Sequence, residues 1–166
     1  MSRVLQERAL LRCGAGFSFI ELMFTLAIMA ILALVAVPMV QHSIARNKEF
    51  ALRNGLQEIR SAIDAYKRAS EQGSILRKEG DTPFPKQLEE LVTGVPDQRN
   101  PNKSNIQFLR RIPRDPFAPE AASAADSWGK RSSTSAPSSP EEGEDIFDVY
   151  SRSSKIGLNG VPLNQW

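Results

Sequence analysis

The chain has 166 residues, with 21 Lys+Arg against 19 Asp+Glu, one His and one Cys, for a formal charge of +2. That length suits one domain rather than two. The near-neutral balance excludes a strongly basic nucleic-acid binder, and a single Cys with a single His argues against a Cys/His metal site or a Cys–His catalytic pair. The mean hydropathy of −0.31 is that of an ordinary soluble protein, but it averages two unlike segments.

The first sixteen residues, MSRVLQERALLRCGAG, carry Arg3, Arg8 and Arg12 against Glu7. From Leu22 to Val40 there are 19 consecutive uncharged residues, close to the ~20 that a membrane-spanning helix requires. Only Ser18, Glu21 and Thr25 interrupt the start of this apolar stretch. Basic flanks stay in the cytoplasm, so the chain after Val40 is expected on the far side of the inner membrane. A cleaved secretory signal has small residues after its apolar region. Here VPMVQHSIARNK follows the run with no A-x-A pattern, and the small residues Gly14, Ala15 and Gly16 precede it. Cys13 also precedes the run, which argues against its use as a lipoprotein acylation site.

Gly16-Phe17-Ser18-Phe19-Ile20-Glu21-Leu22 resembles the cleavage and methylation signature of type IV pilins and type II secretion pseudopilins. The resemblance implies that a prepilin peptidase cuts between Gly16 and Phe17 and that Phe17 becomes N-methylated. Glu21 then takes the family's acidic position, with Ser18 where Thr is commoner and Phe19 where Leu is commoner. It also implies an α+β pilin-like fold. Its long N-terminal helix, membrane-spanning in the first half, packs on a small antiparallel β-sheet head.

Each signature residue has a physical reading of its own. Gly16, without a side chain, lets an extended backbone enter a narrow protease cleft; the bland alternative is a loop glycine before a helix. Glu21 places a carboxylate in an apolar helix, where ionisable groups seek partners. It either snorkels to the headgroups, helped by the positive helix end, or pairs with the Phe17 amine of a neighbouring subunit and sets the register of a helical polymer. Pro38 lacks an N–H and bends or stops the helix at the membrane exit; the resemblance adds local melting in a filament. His42, just beyond, has no partner for metal or acid–base work and reads as a solvated residue.

Leu52, Leu56, Ile59, Ile63 and Tyr66 recur at spacings of 4, 3, 4 and 3, one face of an amphipathic helix. Arg53, Glu58, Arg60, Asp64, Lys67 and Arg68 occupy the other face. Gly55 reads as a weak point costing up to about 1 kcal/mol. A single helix from about Phe17 to about Glu71 would be roughly 80 Å long, its apolar face covering a small sheet. The expected organisation is a leader (1–16), an assembly helix (17–40), its amphipathic continuation (41–72) and a head (73–166).

Within the head, residues 71–85 read as a loop and Lys86 to Thr93 as a short helix ended by Gly94. Val95 to Ser104 reads as turns. Phe108 to Phe117, FLRRIPRDPF, reads as a turn held by Pro113 and Pro116 with solvated arginines, the alternative being an anionic partner. With the preceding short helix, this segment resembles the head of the major, G-type pseudopilin. Ala118 to Ala125 reads as small and flexible. Asp126–Ser135 and Asp145–Arg152 read as two strands of an antiparallel hairpin, and Lys155–Trp166 as mostly irregular, with Pro162 and Trp166 packing to hold it.

G-type heads often hold calcium on aspartates in the loop after the second strand. Here that loop, Ser153 to Gly160, contains Lys155 and no Asp or Glu, and calcium wants six to eight oxygens. Ser153 and Asn159 are the only weak candidates; calcium is disfavoured and no other cofactor is expected. Removing residues 1–16 would take the only Cys and bring the side-chain charge from +2 to 0.

The expected function is a non-enzymatic, prepilin-like subunit of a type II secretion pseudopilus, single-pass in the inner membrane, its N-terminus cytoplasmic and its head periplasmic. It would polymerise through the N-terminal helix into a homo-oligomeric filament that helps export folded proteins across the outer membrane. Expected partners are other pseudopilins, the prepilin peptidase, an inner-membrane assembly platform and the membrane, with no nucleic acid. The alternatives are a type IV pilin or minor pilin for motility, adhesion or DNA uptake, and a non-polymerising membrane-anchored periplasmic adaptor.

Overall fold

The computed structural model describes residues 16–78, 80–100 and 104–166. The chain is α+β, a long N-terminal helix followed by small antiparallel sheets. It divides into two compact units, residues 1–42 and 43–166, which are taken separately below.

In the first unit, helix α1 (Phe19–Glu71) begins two residues later than the sequence suggests. Phe17 and Ser18 lie outside it, and the Leu22 N–H closes the first turn on the Ser18 carbonyl at 3.1 Å. The apolar run supplies strong helix formers, Ala, Leu and Met, without a glycine. α1 continues through position 38, so the helix stop that Pro38 allowed does not occur.

In the second unit, residues 43–71 complete α1. Their predicted apolar face is buried throughout: Leu52, Leu56, Ile59, Ile63 and Tyr66 all lie in the core. At about 1.5–3 kcal/mol for each large apolar side chain, this stripe outweighs the surface pair Lys67–Glu71 at 3.8 Å, whose kind contributes a few tenths. At the C-terminal end of α1, the Ser74 N–H reaches the Ala69 carbonyl at 2.9 Å. Gly73 between them has φ 76°, a left-handed conformation that glycine adopts without strain.

Helix α2 (Glu90–Thr93) is half the predicted length. The Pro85 carbonyl, which would open a longer helix, accepts the Ile146 N–H at 2.8 Å instead. Where turns were expected, β1 (Val95–Pro96) pairs antiparallel with β2 (Asn105–Ile106). The Leu91 carbonyl then takes the N–H groups of both Phe108 and Leu109.

The second hairpin was foreseen, but its strands are short. β3 (Trp128–Arg131) pairs antiparallel with β4 (Asp148–Ser151), Trp128 opposite Ser151. Asp145 is the reason the ladder begins late. Its carboxylate accepts the Ser132 and Ser133 hydroxyls at 2.7 and 2.6 Å and the Ser133 N–H at 2.9 Å. Ladder geometry gives way to this side-chain network. Val149 and Ser151 point inward, but the alternation breaks before them, because Ile146 is buried and Phe147 exposed. Phe147 instead packs edge-on against Phe84, 5.1 Å between centroids.

The segments expected to be flexible or irregular are tied down. Ala125 is in the core. Arg114, read as solvated, donates to the Ala122 carbonyl at 2.6 Å and to the Pro119 carbonyl. In the tail, Ile156 bridges Pro162, a 3₁₀ turn spans Leu163–Gln165, and Leu163 is buried.

Gly55 turns out to be a packing requirement. A Cβ there would lie 3.2 Å from two atoms of the Trp128 ring. Trp128 is fully buried, its indole N–H fixed on the Pro113 carbonyl at 2.8 Å, so it has little room to move. Gly55→Ala is expected to lose about 1 kcal/mol despite better helix propensity. Urea unfolding in detergent measures the sign, and a stabilised variant would overturn this account.

A second prediction concerns acid. Burial pushes the Asp145 carboxyl up, but hydrogen bonds from Ser133, Ser132 and Thr82 outweigh it and hold it below the usual carboxylate range. A depressed folded-state value stabilises fully above the unfolded value of about 4 and is lost as pH falls below it. Asp145→Asn is therefore expected to cost about 1–3 kcal/mol at pH 7. Comparing unfolding at pH 7 and near pH 3, the gap between wild type and variant should narrow in acid.

Candidate functional site

Gly16, Phe17 and Ser18 precede the first turn of α1 in non-helical backbone. Gly16 is exposed, with no atom of a described residue beyond its chain neighbours within 4 Å of where a Cβ would stand, and Phe17 is 81% exposed. A protease binds extended chain, and helix would have to unwind first. The bond between Gly16 and Phe17 is already outside the helix.

Glu21 lies in the first turn of α1, where the unsatisfied N–H groups make the helix end positive. Its carboxylate is exposed and makes no ion pair or hydrogen bond with another described residue. The surrounding side chains, Ile20, Leu22, Phe24 and Thr25 among them, are exposed as well. Thr25 turns its hydroxyl back onto the Leu22 carbonyl at 2.9 Å, which removes one polar group from the apolar surface. Among the described residues, α1 is the one helix long and apolar enough to cross a membrane, and none of its apolar window is buried.

In the head, the structure does not bring the two calcium candidates into one cavity. Ser153 lines a pocket of about 470 Å³ with Asp115 and Asp126. Asn159 lines another with Arg53, Arg60 and Trp166. The Asn159 side-chain Oδ1 already accepts the Val161 N–H at 3.1 Å, and the Ser153 hydroxyl accepts the Lys155 N–H at 3.4 Å. Among the described residues no group of three His, Cys, Asp or Glu is placed to hold a metal.

Three charged residues organise the head in ways that helical periodicity could not reveal. Arg60 leaves the solvated face to bind Asp148 at 2.7 Å, the Val149 carbonyl at 3.1 Å and the Trp166 carbonyl at 2.8 Å. Asp115 is buried and accepts the Ser151 hydroxyl at 2.6 Å and the Phe117 N–H at 2.7 Å. It thereby pins the RRIPRDPF turn to β4, while Arg110 and Arg111 stay exposed. Glu49, also buried, accepts the Leu158 N–H at 2.7 Å. Apart from the Phe117 N–H, each partner lies tens of residues away in sequence. The local signal was the position of Asp115 in the turn between Pro113 and Pro116. At the other end of the head, burial and the Glu90 carboxylate push the Tyr66 phenol up to about 12, so it stays protonated and donates to Glu90 at 3.3 Å.

Comparison with known proteins bears on the N-terminal segment. Residues 11–37 match the family model of the prokaryotic N-terminal methylation motif. No curated protein and no solved structure matches the chain. The chain thus carries a type IV prepilin-like signal at the point where its non-helical, exposed Gly16–Phe17 bond meets an uncovered apolar helix.

Proposed function

We propose that the chain is a prepilin-like subunit of a type II secretion pseudopilus, working by polymerisation and without catalysis. The observation that carries this reading is the methylation motif at residues 11–37, which includes the start of an apolar helix that no described residue covers. Prepilin peptidase would cut between Gly16 and Phe17 on the cytoplasmic side, and the new Phe17 amine would be methylated. The helix would hold the subunit in the inner membrane, N-terminus in the cytoplasm and head in the periplasm. On assembly, bundled helices would exchange lipid for one another.

Glu21 is the proposed register residue. An unpaired carboxylate in an apolar bundle costs several kcal/mol, and the amine created by cleavage on a neighbouring subunit supplies a partner of opposite charge four residues from its own Glu21. Such a contact between unlike surfaces repeats without closing, which generates a helical filament. The assignment to secretion rests on the resemblance of the RRIPRDPF head segment. A type IV pilin shares the N-terminal signal and would be told apart by its gene neighbourhood.

Two outcomes test the reading. Mass spectrometry of the mature protein is expected to show a chain beginning at N-methyl-Phe17; an intact Met1, or a cut after Val40, overturns it. Glu21→Ala is expected to insert into the membrane normally and to lose filament formation by electron microscopy. Normal filaments from this variant would remove Glu21 from the register role and leave cleavage untouched.

A further inference from the structure

A groove of about 470 Å³ lies between α1 and the tail, and Arg53, Gln57, Arg60, Asp64 and Trp166 line it. The Arg53 guanidinium lies over the Trp166 ring, 4.4 Å from its centroid. That residue is itself held. The Trp166 carbonyl accepts from Arg60 at 2.8 Å, and its ring edge sits 2.6 Å from where a Cβ of Gly157 would stand. Arg53 forms no ion pair and donates no side-chain hydrogen bond to a described residue, and the Gln57 amide one turn further on makes none either. A planar guanidinium stacked on an aromatic face keeps its N–H edge for a carboxylate, and being held in place it loses less freedom on binding one. Arg and Trp together are also the residue types that carry most interface energy.

The other charges around the groove are engaged or distant. Arg60 is paired with Asp148 at 2.7 Å. Glu49, one turn before Arg53, is buried and accepts the Leu158 N–H. Asp64 lies eleven residues beyond Arg53, about 16 Å of helix. Carboxylates that fit the Arg53 end stand elsewhere on the head. Glu141, Glu142 and Glu144 are exposed on the β3–β4 connection. Glu142 is paired with Arg152 at 3.0 Å, and Lys86, the cation near Glu144, is paired with Asp81 at 2.9 Å. The Glu141 carboxylate has no partner among the described residues. This connection is fastened toward the C-terminal end of α1. The Ile146 N–H bonds the Pro85 carbonyl, and Phe147 packs on Phe84, a ring that Lys67 covers at 5.4 Å. Lys67 is fourteen residues past Arg53, about 21 Å of helix. Acidic segment and groove thus occupy different levels of one head. Joining them between two copies leaves a free segment on one copy and a free groove on the other, so the contact repeats without closing.

We propose that the Arg53–Trp166 groove is a carboxylate-binding site for the Glu141–Glu144 segment of a second copy of this chain, a head-to-head contact within the filament. This rests on the polymerisation reading above.

The test uses the full chain with Cys13→Ser in two single-cysteine forms, Gln57→Cys and Glu144→Cys, one of them tagged, assembled together and joined by a short thiol-to-thiol cross-linker. Glu120→Cys, at an exposed acid outside the segment, replaces Glu144→Cys as the reference. Mixed 57–144 product several-fold above 57–120 product is expected. Adding Arg53→Glu to the Gln57→Cys form is expected to lower it several-fold, and adding Glu141→Arg to the other form to restore it. Filaments that show equal 57–144 and 57–120 products, or a yield that Arg53→Glu leaves unchanged, overturn this contact alone. Should Arg53→Glu destabilise the head in urea, the comparison of 144 with 120, which keeps Arg53, decides. A Gln57→Cys form that cross-links only to a different protein overturns the second copy as occupant. A wild-type chain that forms no filament after processing at Phe17 overturns the polymerisation reading, and this proposal with it.

Discussion

The head depends on the stripe from Leu52 to Tyr66. Its five side chains are buried on one face of α1, and residues from most other parts of the head join the same core. Leu88 and Leu91 come from the α2 region, Trp128 and Val149 from the β3–β4 hairpin, and Leu163 from the tail. Two-residue and four-residue strands would not hold together alone; a lone hairpin is marginal in water. They persist because the helix face removes their apolar side from solvent. Gly55, Trp128 and Pro113 interlock at the helix face, where a single absent Cβ makes room for the largest buried side chain.

Around that stripe, polar groups that are buried, or half-buried in the case of Arg60, serve as fasteners between segments distant in sequence. Arg60, Asp115, Asp145 and Glu49 each bind a strand, turn or loop by backbone or hydroxyl groups. Charged groups buried with partners are costly to leave unpaired, so each one specifies where its segment must lie. The head thus reaches a defined shape with very little regular secondary structure.

The other part of α1 follows the opposite rule. From Phe19 to Val40 the helix is apolar, and its described side chains are exposed. In water that surface has no favourable solution. A bilayer or a bundle of like helices supplies one, and the exposed Gly16–Phe17 bond with Glu21 four residues later is where processing and pairing would act.

Much of this was legible in the sequence, because it rests on local rules. The uncharged run, the basic leader, the signature around Gly16 and the 3–4 spacing of Leu52 to Tyr66 are set by solvent transfer and helical geometry, which act within a few turns of chain. The antiparallel second hairpin was readable for the same reason. What only the tertiary structure decided are the choices made by partners far away. The Pro85 carbonyl went to Ile146 and shortened α2, Asp145 took over the end of the ladder, and Arg60 left water for Asp148 and Trp166. Gly55 changed from a weak helix residue to a seat for Trp128. A hydrogen bond or a close contact depends on position in space, and no spacing along the chain reports which distant segment will arrive there.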